Sequence, residues 1–164
     1  LSDPYLQELR RRYRRVIAAE AGHTLRYFDY SQFEPGIMAS LSGDPELIAL
    51  YNRGDVYAAL SFALFGDEAQ RQLCKRVFLG FSYGMSAKGI ASLLVASSGV
   101  QADEAAIEAK VNAFFARFRV LTDFKHALER ELHANGHVAT LLGNRRVRTA
   151  KGPLAAKEKR WVVS

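Results

Sequence analysis

The chain has 164 residues, with 23 Lys+Arg against 17 Asp+Glu for a formal net charge of +6, and it is 49% hydrophobic and 24% charged. These values exclude a disordered or collagen-like chain and fit one folded domain with a modest core. No apolar run approaches the roughly 20 residues of a membrane helix, no signal peptide opens the chain, and one cysteine, Cys74, excludes an internal disulfide framework and fits a reducing compartment.

The first residue is Leu1 rather than Met, as expected for a piece of a longer protein. Pro4 to Ala19 has the spacing of a helix, with Leu6, Leu9, Tyr13, Val16 and Ile17 three or four apart. Ala21-Gly22 breaks it. Thr24 to Phe28 is rich in strand formers and leads into Asp29. Ser31 to Leu41 reads as a short helix, and Ser42-Gly43-Asp44-Pro45 as a turn. Pro45 to Tyr51 and Val56 to Phe65 are two further helices around Gly54-Asp55. Glu68 to Tyr83, Ser86 to Ser97, Asp103 to Phe118 and Thr122 to Ala134 follow, the last stopped by Asn135-Gly136. Val138 to Val147 carries a hairpin signal with Gly143-Asn144 at the turn, and Leu154 to Val163 starts another helix. The expected fold is mainly α with a small β contribution.

Charge is uneven. Arg10, Arg11, Arg12, Arg14 and Arg15 crowd one end; Arg145, Arg146, Arg148, Lys151, Lys157, Lys159 and Arg160 crowd the other. Two basic ends around a balanced middle point to a polyanion such as nucleic acid, or else to solvated helix faces.

Asp29, at the carboxyl end of the expected strand, stands where a metal or catalytic group is often held. Ser31-Gln32-Phe33-Glu34 fits a capping box, with Ser31 as N-cap; Pro35 fits a first helical position, with Glu34 as N-cap instead. Arg71, Lys75, Leu79 and Tyr83 recur every four residues, so they drift slowly around one helix face with a rise of about 6 Å per step. Two cations so spaced suit neighbouring phosphates, and an aromatic ring farther along suits a base. The alternative is a solvated face with Leu79 and Tyr83 in the core. His133 and His137 have metal spacing, but Asn135-Gly136 between them ends the helix they would share. Cys74 reads as a packing residue.

Taken in order, these segments resemble a known family. Asp29-Tyr30-Ser31-Gln32-Phe33-Glu34, continuing to Gly43-Asp44-Pro45-Glu46-Leu47, resembles motif A of family A DNA polymerases. Arg71-x3-Lys75-x3-Leu79-x3-Tyr83-Gly84 resembles motif B, the finger helix. Thr140-Leu141-Leu142-Gly143-Asn144-Arg145-Arg146 is similar to the family's Thr-Leu-x-Gly-Arg-Arg segment, and Glu158-Lys159-Arg160-Trp161 to the start of the following helix.

The resemblance implies fingers plus a palm edge: residues 1–44 as palm edge with motif A, 45–135 as helical fingers with motif B, and 136–164 as hairpin and start of a palm helix. It implies Asp29 and Lys75 as catalytic residues. Asp29 and the Tyr30 carbonyl would be ligands of a Mg²⁺ pair whose second carboxylate lies outside this chain. Gln32, Glu34, Arg71, Lys75, Leu79 and Tyr83 would bind nucleotide, Glu34 as the gate against a ribose 2′-OH. Tyr83, Gly84, Arg145 and Arg146 would approach DNA. The implied partners are primer–template DNA and dNTPs, with no membrane, in a cytoplasmic enzyme that is monomeric at full length. The chain ends before the family's motif C, so the piece alone is expected to be inactive.

Several residues depart from the pattern: Leu79 for Phe or Tyr, Pro35-Gly36 for Leu-Arg, Tyr57 for His, and Asn144 for Arg. Leu79 and Lys75-Arg76 lean toward single-subunit RNA polymerases, and Glu34 leans back to the DNA enzymes. A non-catalytic helical nucleic-acid-binding module is the other rival.

Overall fold

The computed structural model describes residues 11–14, 16–26, 28–98 and 103–162. Backbone packing divides the chain into two units, Leu1–Ser31 and Gln32–Ser164.

In the first unit the described residues form one helical turn, α1 (Arg11–Arg14), followed by irregular chain. Of the helix predicted over Pro4–Ala19, residues 4–10 and 15 lie outside the described ones; residues 11–14 are helical as expected, and residues 16–19 are corrected to irregular chain. Arginines three and four apart repel along a helix, and Val16 is 78% exposed, so this apolar position gives the helix no buried contact with which to continue toward Ala19. The strand predicted over Thr24–Phe28 is also corrected: residues 24–26 and 28–30 are irregular. A strand needs a ladder partner for its backbone N–H and C=O groups, and among the described residues the one sheet lies in the second unit.

The second unit opens with α2 (Phe33–Ser42), and neither expected cap starts it. Gln32 is the N-cap, in the left-handed region at φ 51°. Pro35 falls in the first turn, where its missing N–H costs no helical bond, and Gly36 N–H makes the first one, to the Gln32 carbonyl at 3.1 Å. A Cβ on Gly36 would lie 3.0 Å from the Tyr51 ring, so the glycine lets α2 approach the next helix closely.

That helix, α3 (Pro45–Arg53), starts at Asp44 with proline in first position. Asp44 is buried. One of its oxygens accepts from Leu47 N–H at 2.9 Å, and the other accepts from Leu121 N–H at 3.0 Å, 77 residues away. One carboxylate thus ties the starts of two helices together.

α4 (Val56–Phe65) buries Val56, Tyr57, Ala58, Leu60, Ser61 and Leu64, most of its circumference, and so runs through the core. α5 (Arg71–Ser82) begins later than the predicted Glu68, because Asp67 accepts from Ala69 N–H and Arg71 N–H closes a turn on Glu68 O. α6 (Ala87–Ser98) and α7 (Glu104–Phe115, capped by Asp103) follow. α7 stops short of the predicted Phe118, which is buried and instead precedes α8 (Arg119–Asn135). Gly136, at φ 70°, ends α8 as the Asn135-Gly136 pair predicts.

Rings dominate the core. Phe81 stacks on Phe115 at 3.7 Å, and Phe78, Phe114 and Phe118 close around Phe115. Lys125 Nζ donates to the Phe81 carbonyl at 2.8 Å and Lys110 Nζ to the Leu64 carbonyl at 3.0 Å, so α8 and α7 each place a cation near another helix's carboxyl end. Burial lowers the Lys125 ammonium below its ordinary value.

The predicted hairpin forms as β1 (His137–Ala139) paired antiparallel with β2 (Arg145–Val147), His137 facing Val147. Its loop is Thr140–Asn144, longer than the expected Gly143-Asn144 turn, because Thr140 closes it by bonding Asn144 and Gly143. α9 (Ala156–Trp161) lies after it. A small second core of Leu132, Val138 and Val162 joins α8, β1 and the residue after α9.

Asp44→Ala should destabilise the fold by about 2–4 kcal/mol, the cap loss plus an unsatisfied buried Leu121 N–H. Asp44→Asn should lose less, since one acceptor survives. Urea unfolding of both variants checks the order.

Candidate functional site

The buried face of α5 is Leu73, Cys74, Val77, Phe78 and Ser82. The amphipathic period then leaves Arg71, Lys75 and Leu79 along the flank of that face, with Tyr83 just past the end, its N–H on the Leu79 carbonyl at 2.9 Å. Lys75 is exposed, Arg71 and Leu79 are half-buried, and Tyr83 is 41% exposed. The alternative that tucks Leu79 and Tyr83 into the core is thereby corrected. Burial pushes the Cys74 thiol up to about 11, which fits its packing role.

The start of α4 lies against this row. One Asp55 oxygen accepts from Tyr57 N–H at 2.9 Å and Ala58 N–H at 3.0 Å. The other receives the Arg71 guanidinium, with Nε and Nη2 both at 2.6 Å. Burial opposes ionisation of Asp55, but the Ala58 N–H, Arg71 and the Tyr57 N–H outweigh it and hold its carboxyl below the ordinary 3.8. Gln32 completes the junction. Its Nε2 donates to Gly54 O at 3.1 Å and its Oε1 accepts from Val56 N–H at 2.6 Å. This clamp offsets the strain of its left-handed backbone, about 1–2 kcal/mol.

Tyr57 is buried with its ring under both cations, 5.5 Å from Arg71 Cζ and 6.0 Å from Lys75 Nζ. Burial pushes its phenol up to about 12, helped by the charges of Glu34 and Asp55 and opposed by Arg71. Glu34 sits half-buried in the first turn of α2 and belongs to the same cluster. The structure thus brings together Gln32, Glu34, Arg71, Lys75 and, by its electrostatic effect on Tyr57, Tyr83.

The other predicted residues each have a place of their own. Asp29 and Tyr30 belong to the first unit, in irregular exposed chain. Gly84 follows Tyr83 at φ 82°. Arg145 and Arg146 stand exposed on β2, in the hairpin that packs on α8. His133 ends in α8 and His137 in β1, separated by the Gly136 turn. A cavity of about 580 Å³ lies away from the α5 row, along α8, lined by His126, Glu129, Arg130, His133, Pro153, Leu154 and Lys159.

Two roles escaped the sequence reading. Asp55 anchors Arg71; its position before an apolar run signals an N-cap, but not the partner. Arg148, counted among the basic residues of the C-terminal end, has a side chain only 6% exposed: it bonds Glu158 at 2.7 and 3.3 Å and Pro153 O at 2.9 Å. Arg148 and the Ala155 N–H hold the Glu158 carboxyl below its ordinary value.

A family model described as DNA polymerase family A matches residues 2–160. The chain belongs to DNA polymerase family A. It is 36% identical over 151 residues to the DNA polymerase I of Chloroflexus aurantiacus, an alignment covering 88% of this chain and 15% of that protein. It is 38% identical over 125 residues to the DNA polymerase I of Mycobacterium tuberculosis, covering 72% and 13%. It is 34% identical over 158 residues to the thermostable DNA polymerase I of Thermus thermophilus, covering 88% and 18%. The chain thus spans less than a fifth of these family A relatives' length. Its fold is similar to the POL domain of Pol1 from M. smegmatis, solved in complex with DNA primer-template and dNTP, at TM-score 0.64 and 25% identity over 82% of this chain and 25% of that one. The mainly helical fold with one small sheet matches a fingers-and-palm piece of a family A polymerase.

Asp55→Ala should cost about 1–2 kcal/mol at pH 7, the loss of a strong N-cap. A lowered folded-state value stabilises above the unfolded value and is lost as pH falls through the folded one. The gap between wild type and Asp55→Asn, which keeps the cap but not the charge, should therefore be full at neutral pH and shrink below about pH 4. Denaturant midpoints across pH check the sign.

Proposed function

We propose that this chain supplies the nucleotide-binding face of a template-directed DNA polymerase, which transfers a nucleotidyl group from a dNTP to a primer 3′-OH. The observation that carries the reading is the open row on α5, with two cations one helical turn apart and an aromatic ring beyond, in a chain of this family. Arg71 and Lys75 hold the triphosphate, and Lys75 stabilises the charge that develops as the primer oxygen attacks the α-phosphate. Leu79 lies along the sugar. Tyr83 and Gly84 meet the nascent base pair. Glu34 fills the space of a ribose 2′-OH, and Gln32 keeps that wall fixed through its clamp on α4. Arg145 and Arg146 bind phosphates of the primer–template.

Asp29 and the Tyr30 carbonyl are proposed ligands of a Mg²⁺ pair, which when bound supplies Lewis-acid stabilisation of the phosphoryl oxygens. They are a partial donor set. Two cations about 4 Å apart need further carboxylates, and the described residues hold no group of three His, Cys, Asp or Glu suited to a metal. The three-part division at residues 44 and 135 is part of the same proposal, as are a monomeric full-length enzyme and a cytoplasmic location. Among the described residues no helix is long and apolar enough to cross a membrane. The relatives are DNA polymerases, which outweighs the lean of Leu79 and Lys75-Arg76 toward an RNA polymerase and leaves the non-catalytic module unsupported.

In a full-length polymerase carrying this segment, Lys75→Ala should lower nucleotide incorporation by about 10²–10³ while DNA binding stays near normal. Glu34→Ala should raise ribonucleotide use. Single-turnover extension with dNTPs and rNTPs measures both; an unchanged rate in Lys75→Ala overturns the reading.

Binding of duplex DNA by the chain should weaken as salt rises, and Arg145→Ala with Arg146→Ala should reduce the salt slope by about two. A fluorescence anisotropy titration at several salt concentrations measures the slope. An unchanged slope removes the hairpin from the DNA interface.

A further inference from the structure

We infer that Tyr57 is a positioning residue: its ring is the floor on which Arg71 and Lys75 are held in register for a polyphosphate. This rests on the nucleotide reading of the α5 row.

The ring is fixed from below. Tyr57 is buried on α4, its ring edge-on to Phe78 with centroids 5.9 Å apart and planes at 72°. It therefore cannot follow the side chains above it. Arg71 Cζ lies 5.5 Å and Lys75 Nζ 6.0 Å over its centroid, both within reach of the negative ring face. One turn of helix separates the two cations, and one ring serves both.

Asp55 and Tyr57 divide the work. Asp55 takes the Nε and Nη2 edge of Arg71 and fixes its direction. Lys75 is an exposed, flexible ammonium, and the Tyr57 ring gives it a preferred place. An ordered pair loses less freedom when a polyphosphate arrives, which favours binding without any contact between Tyr57 and the ligand.

The hydroxyl separates ring from phenol. It is buried and has no hydrogen-bond partner among the described residues. Such a group disfavours the folded state. What the site uses is therefore the ring, which phenylalanine also has and leucine lacks.

The experiment uses the purified chain and inorganic tripolyphosphate as probe, with binding measured by calorimetry and folding by circular dichroism. Wild type and Tyr57→Phe should bind equally, and Tyr57→Phe should melt no lower. Tyr57→Leu should bind about fivefold more weakly. Arg71→Gln with Lys75→Gln should weaken binding about tenfold or more; no change in that double variant defeats the nucleotide reading itself. If the double variant is weakened but Tyr57→Leu is not, the Tyr57 inference alone is overturned. If Tyr57→Phe is as weak as Tyr57→Leu, the hydroxyl and not the ring is what matters, and the inference is again overturned. Should Tyr57→Leu not fold, NMR of the wild-type chain decides. The Arg71 Nε–H and Lys75 Cε–H resonances should be displaced upfield by the ring current and stay so in Tyr57→Phe; undisplaced resonances overturn the inference.

Discussion

The Asp55 carboxylate is the constraint on which the site depends. Its two oxygens start α4 and hold the first residue of α5. The two roles are inseparable. The carboxylate accepts the N–H groups that every helix leaves unpaired at its start, and that fixes its orientation. The free oxygen then points at Arg71, and the guanidinium fork has one direction in which to meet it. Helix initiation in the core and the aim of a surface cation become one event.

Packing gives that event its rigidity. α4 is buried on most sides, so its amino end cannot shift without disturbing Leu60, Leu64 and the aromatic cluster below. Lys110 and Lys125 brace the carboxyl ends of α4 and α5 through carbonyl oxygens. α4 is thus secured by an anion at its start and a cation at its end, as the peptide dipole prefers, while α5 is held at its start through Arg71 and at its end by Lys125.

The helices were legible because their periods, caps and glycine stops are local. Asp44-Pro45, Gly54-Asp55, Asp103 and Asn135-Gly136 mark boundaries that the structure keeps, within a few residues. The row from Arg71 to Tyr83 was legible for the same reason. Thr24–Phe28 misled because strand formers report a preference, whereas a ladder needs a partner that local sequence does not supply. The carboxyl end of Pro4–Ala19 misled because apolar spacing promises a buried face, and Val16 has none. The start of α2 was undecided between Ser31 and Glu34; Gln32 took the place because its amide reaches Gly54 and Val56 across the fold, a distance of 22 and 24 residues in sequence. Arg148 looked like one more surface charge until Glu158 folded over it.

Cys74 gives the α5 helix an internal clock. It is the chain's one cysteine, fully buried between Leu73 and the cation Lys75. Burial keeps it a thiol, so it has almost no nucleophile to offer while the helix is seated. Alkylation then requires the core around α5 to open, and its rate reports how much of the time that core stands open. A protein with several thiols would blur that signal. Here the rate at which one sulfur reacts reports the opening of the core that seats the helix of Arg71 and Lys75.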